Sequence, residues 1–185
     1  YLPTAEYLSE HPKFYSTKNP EGQLCYTARG DKDEYELMAT YCAEKIEQSL
    51  TFYPREQFPL YASVQLGMAD NYDMCACDEC TKVKNKHNGA IVATIIPFLK
   101  TVARKVNEWM ELPENADYKR ENFQYTFFAY QDTLEAPFAY DESTGKYVAA
   151  DNSVLPEEVN IVPYFALNKI DHALSIYDEK NTNMR

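Results

Sequence analysis

Leu60-Tyr61-Ala62-Ser63-Val64-Gln65-Leu66-Gly67-Met68, running straight into Ala69-Asp70-Asn71-Tyr72-Asp73, is the stretch on which the fold turns. It follows Pro59, is short and almost continuously apolar or small, and stops at a polar run. That is how a strand buried in a parallel sheet reads. On its N-terminal side, Met38, Cys42, Ile46 and Leu50 recur every four residues, with Leu37 and Tyr41 beside them. They predict a helix starting near Asp31, with Cys42 in its buried face. On the other side, residues 74–89 read as loop, and Asn88-Gly89 starts a second helix. The buried side of that helix is marked by Ile91, Ile95, Phe98, Val102, Val106 and Trp109, and Pro97 is expected to kink it or delay its start.

Further strands are predicted over Gln23–Thr27, Asn122–Tyr130 and Val159–Phe165, with a long loop over 131–157. One helical turn is expected near Ala5–Glu10, and residues 168–177 can be helix or loop. Strand and helix alternate, so the expected class is α/β with parallel strands, neighbours in chain order. A barrel and an open doubly wound sheet both fit. No glycine-rich phosphate loop follows any strand, which weakens a nucleotide-binding version.

The 185 residues suit one domain spanning 1–185. A net charge of −11 repels phosphate backbones, so nucleic acid is not an expected partner. The longest apolar runs, such as Ala90–Leu99, are too short to span a bilayer. No signal peptide is visible, and the opening at Tyr1 suggests a mature segment or a fragment. Sixteen tyrosines offer flat apolar faces with hydrogen-bonding tips, suited to sugar rings and equally to a tyrosine-rich core.

In parallel α/β folds, function sits at the carboxyl ends of the strands. Asp70 follows an apolar strand directly. A carboxyl there could protonate a leaving glycosidic oxygen, with the Asn71 amide beside it to orient a substrate acetamide. A turn or helix cap is the plainer use of Asp-Asn. Cys75-Ala76-Cys77-Asp78-Glu79-Cys80 supplies three thiols from one loop, and Cys25 is expected to fall beside it as a fourth ligand, with His87 as a second candidate. Four sulfurs suit a structural zinc. Two disulfides among the same four residues also fit an exported protein, although Cys75 and Cys77 are too close to pair with each other. No nucleophile elbow, H-E-x-x-H or Ser/His/Asp pattern can be read.

Several spaced phrases together resemble one bacterial family. They are His11-Pro12-Lys13-Phe14-Tyr15, Gln23-Leu24-Cys25, the strand ending in Asp70-Asn71 with the cysteine phrase behind it, and Ala129-Tyr130-Gln131 followed by the strand to Tyr164. The family is the domain of unknown function numbered 4838, grouped with glycoside hydrolases and including the endo-β-N-acetylglucosaminidases of glycoside hydrolase family 163. The α-glucuronidases are a more distant likeness. The resemblance implies a TIM (β/α) barrel, here about four βα units, in an exported protein of gut Bacteroidetes, secreted, periplasmic or on the cell surface. It implies a carbohydrate substrate, with Asp70 and Asn71 catalytic and Gln65, Tyr130, Gln131 and His172 lining the sugar subsite. The rest of the barrel would come from the remainder of a longer chain. Where the family reads Gln-Asn-Asp-Asn, this sequence has Met68-Ala69-Asp70-Asn71. A barrel segment that binds glycan without cleaving it is the competing expectation. An α-glucuronidase-like enzyme is a third, and needs a basic residue near Asp70.

Overall fold

The computed structural model describes residues 2–155 and 159–165. The predicted turn near the N-terminus is a short helix, α1 (Thr4–Tyr7). The first long helix is α2 (Lys32–Thr51). Asp31 caps it, its carboxylate accepting from the backbone N–H groups of Asp33 and Glu34, and Met38, Ala39, Cys42, Ala43, Ile46 and Leu50 form its buried stripe. The second long helix is α4 (Val92–Met110), which carries Pro97 inside and packs against α2. It is entered through Asn88 and Gly89, both in the left-handed region, where glycine costs least.

Three strands form a parallel sheet in chain order: β1 (Ser63–Gln65), β2 (Gln124–Ala129) and β5 (Ile161–Phe165). Gln65 pairs with Thr126, and Thr126 with Val162. Because side chains alternate, Val64, Tyr125, Phe127 and Ile161 share one face, and Gln65, Thr126, Phe128 and Tyr164 the other. The helices cover the first face: Tyr125 Oη donates to Asn107 Oδ1 of α4 at 2.7 Å. On the second face Gln65, Phe128 and Tyr164 are exposed.

Four expectations are corrected. The segment Gln23–Thr27 is not a strand of this sheet; Leu24 makes a lone antiparallel bridge to Tyr15, and the chain then turns through Ala28, Arg29 and Gly30 at positive φ. Residues 74–89 are not all loop, since α3 (Asp78–Lys86) lies within them. The stretch 131–157 contains a hairpin of β3 (Phe138–Asp141) and β4 (Lys146–Ala149), closed at Gly145. The sheet among the described residues is an arc of three strands, not a closed barrel. Among the same residues, no helix is long and apolar enough to cross a membrane.

Candidate functional site

Four cysteines from two distant segments meet beside the carboxyl end of β1. The ligand atoms of Cys25, Cys75, Cys77 and Cys80 all lie within 4.8 Å of one another. Cys25 Sγ is 3.6 Å from Cys80 Sγ and 3.8 Å from Cys77 Sγ. A tetrahedron of sulfurs about 2.3 Å from a metal has edges of about 3.8 Å, whereas a disulfide needs about 2.05 Å. The four are free thiols in metal-ligand geometry, three of them buried and Cys77 partly exposed.

The surroundings are built for sulfur anions. Arg29 N donates to Cys25 Sγ at 3.3 Å, Cys80 N donates to Cys77 Sγ at 3.4 Å, and the backbone N–H groups of Cys77 and Thr17 point at Cys75. Thr27 Oγ1 lies 3.1 Å from Cys80 Sγ and 3.4 Å from Cys25 Sγ. Such outer contacts orient ligands and tune their basicity. Cys77 is also the N-cap of α3, so the positive end of a helix faces the cluster. Hydrogen bonds from Cys25 and Cys80 hold the Cys75 thiol below the ordinary thiol range. Its bond to Cys75, with burial, pushes the Cys25 thiol up to about 11. Ala28 and Arg29 occupy the left-handed region at φ 43° and 55°, a conformation uncommon outside glycine. The Arg29 guanidinium anchors it on the carbonyls of Pro12 and Tyr15, each at 3.0 Å.

The predicted sugar-site residues fall at the same end of the sheet. Asp70 is exposed in the loop after β1, and its Oδ1 accepts from Gln131 Nε2 at 3.2 Å. Gln131 follows β2 at φ 52°, with its Oε1 buried and unpartnered among the described residues. Tyr130 is half-buried beside it, and Gln65 lies on the open sheet face. Asn71 is tied into the loop instead: Oδ1 accepts from Gln23 Nε2 (3.2 Å) and Asp73 N (3.0 Å), and Nδ2 donates to Gly22 O (3.1 Å). His172 lies outside the described residues, and His87 is not among the clustered ligands.

Sequence reasoning missed Gln23, a buried amide that also accepts from Ala69 N at 3.3 Å and donates to Ala69 O at 3.4 Å. It also missed the pairing of Phe128 with Tyr164, opposite each other on the exposed face. Their signal was the alternation along each strand. A cavity of about 530 Å³ adjoins the strand ends, lined by Gln131, Asp132, Tyr72, Cys75, Lys18 and Lys84 among others.

Residues 1–144 match the family described as "Domain of unknown function (DUF4838)". The chain belongs to the DUF4838 family. The matched span takes in the four clustered cysteines, Asp70, Asn71, Tyr130 and Gln131. No curated protein and no solved structure matches this DUF4838 chain.

Proposed function

We propose that this DUF4838 chain forms the working end of a glycan-hydrolysing (β/α) barrel, acting outside the cytoplasm and stapled by a structural zinc. The observation that carries the hydrolase reading is the Asp70 carboxylate at the carboxyl edge of a parallel sheet, held by Gln131. Among the described residues the sheet has helices on one face, while Gln65, Phe128 and Tyr164 are exposed on the other. A doubly wound sheet would be covered on both sides, whereas a barrel turns one face inward. Asp70 would act as general acid towards a glycosidic oxygen, with Gln131 steering its carboxyl and the open-face aromatics receiving sugar rings. A bond between N-acetylglucosamine units is the first substrate to test.

Screening the full-length protein on N-glycoproteins and aryl glycosides, with mass spectrometry of the products, tests this directly. Released oligosaccharide supports hydrolysis; tight glycan binding with no product would make it a binding module. Lys18 and Lys84 in the adjoining cavity favour a second reading, cleavage next to a uronate, because they could hold its carboxylate. Release of glucuronic acid in the same screen would select it.

The Cys25, Cys75, Cys77 and Cys80 sulfurs fit zinc in number, spacing and hydrogen-bond support. Bound zinc would hold four thiolates together and keep them from pairing in an oxidising compartment. Elemental analysis should return one zinc per chain, and Cys25→Ser or Cys80→Ser should reduce it well below that.

A further inference from the structure

The loop after β1 carries a large ring on a backbone that is pinned from both sides. Tyr72 stands two residues beyond Asp70 and is 57% exposed. Before it, Asn71 is bonded to Gln23, Gly22 and the Asp73 N–H. After it, Asp73 is held by Ser16 and Asn19, and Cys75 belongs to the sulfur cluster. Among the described residues, the Tyr72 side chain itself makes no hydrogen bond and no aromatic contact. The fold thus fixes where this ring stands without using it. A lone exposed tyrosine is ordinary. One held on so tethered a loop beside a cavity is a preorganised surface.

Tyr72 lines the cavity of about 530 Å³ at the strand ends, a size usual for small-molecule sites. Gln131, which bonds to Asp70, lines it too, so the cavity adjoins that carboxylate. Its polar groups can be reached from solvent: Lys18, Thr81, Lys84, Asn85 and Glu135 are all exposed. Cys75 and Cys80 also line it, but both are buried and their sulfurs are engaged within the cluster.

The charges of the lining balance. Lys18 and Lys84 stand with Asp132 and Glu135, and none of the four makes an ion pair among the described residues. An anion would meet the two carboxylates, and a cation the two ammonium groups. A uronate would satisfy the lysines and set its own carboxylate against Asp132 and Glu135. A neutral molecule rich in hydroxyls uses both pairs, donating to the carboxylates and accepting from the ammonium groups. If it also has a flat C–H face, it can use the Tyr72 ring. A neutral pyranose has both.

We propose that this cavity is the sugar subsite beside Asp70, with Tyr72 as its stacking residue and a neutral pyranose as its occupant. The subsite rests on the glycan reading for its ligand class. Saturation-transfer NMR on the intact protein tests it, with N-acetylglucosamine, glucose, galactose and glucuronic acid as probes. At least one neutral sugar should show transfer, strongest at the ring protons of one face, and should bind more tightly than glucuronic acid. Tyr72→Ala should weaken that binding about three- to tenfold, the worth of one aromatic contact. Tyr72→Phe keeps the ring and should bind as the parent does. Neither variant should lower the melting temperature, because the side chain is exposed. The proposal fails if no neutral sugar shows transfer, or if glucuronic acid binds more tightly than every neutral sugar. It fails equally if Tyr72→Ala binds as the parent, if Tyr72→Phe loses as much as Tyr72→Ala, or if Tyr72→Ala melts lower. Turnover is measured separately. Binding through Tyr72 without turnover leaves the subsite standing while the hydrolase reading falls. Turnover with Tyr72→Ala binding as the parent does the reverse.

Discussion

At the level of single residues, Asp70 and Asn71 part company although they are neighbours. Among the described residues, Asp70 is exposed and bonded only to Gln131, a partner that a substrate could displace, whereas Asn71 is tied to Gln23, Gly22 and Asp73. Asp70→Asn is therefore expected to keep the fold and to lower turnover about 10²- to 10⁴-fold, the usual worth of a general acid. Comparing kcat on the released glycan with the circular dichroism of the same sample checks both halves; unchanged turnover removes Asp70 from the chemistry. Gln23 behaves differently. Its buried amide makes three side-chain bonds to the loop at 69–71, so Gln23→Leu strands their partners. Urea denaturation should show a loss of about 1–3 kcal/mol per group left unsatisfied; a variant as stable as the parent would show that the loop holds itself.

Whole elements differ in how openly the sequence announces them. The helices α2 and α4 bury long stripes, and their apolar period is plain in the sequence. The short α3 buries only Cys80, so it has no apolar period to read. Its signal is electrostatic instead: Asp78 and Glu79 in the first turn, Lys84 and Lys86 in the last. The hairpin β3–β4 is largely exposed on both faces, so it lacks the alternation that marks a half-buried strand. The cysteine cluster was legible because three ligands lie within six residues, whereas the bonds of Gln23 to the loop at 69–71 join distant segments and have no local pattern. Acid should act on α2 through its cap. Lys13, followed by the backbone N–H of Glu34, holds the Asp31 carboxyl below its ordinary value of 3.8. A depressed carboxyl stabilises the fold above that value and loses its contribution as pH falls through the folded pKa. Helical ellipticity should decline as pH drops below 3.8, and Asp31→Asn should flatten that part of the curve. An identical acid profile in the variant would place the loss elsewhere.

For the molecule as a whole, the cysteine cluster ties the N-terminal segment to the loop that carries Asp70. Ser16 Oγ donates to Asp73 O at 2.8 Å and Asn19 Nδ2 to Asp73 Oδ2 at 2.9 Å, so the same two segments are stitched at several points. Chelation should lower the melting temperature reversibly, with zinc restoring it. Hydrogen exchange should rise at 16–30 and 69–80 well before it rises in α2 and α4. Exchange that rises uniformly would mean that the metal supports the entire core. The parallel order of β1, β2 and β5 was legible because those strands are apolar and separated by long connections. The displacement of Gln23–Thr27 from the sheet was not, because it follows from the burial of one glutamine and the turn around one sulfur.

If the four sulfurs take up zinc as proposed, their spacing along the chain also sets an order of events. Cys25 stands 52 residues before Cys77, so it leaves the ribosome long before its partners. Cys75, Cys77 and Cys80 emerge almost together and can seize an ion as a tripod while the rest of the chain is still being made. Recruiting Cys25 then closes a loop of some fifty residues, and the entropy of that closure grows only slowly with length. Assembly would thus begin on the short motif and finish by reeling in the early segment. Zinc scarcity during synthesis would leave a thiol at each end of an open lasso, free to bond with other chains.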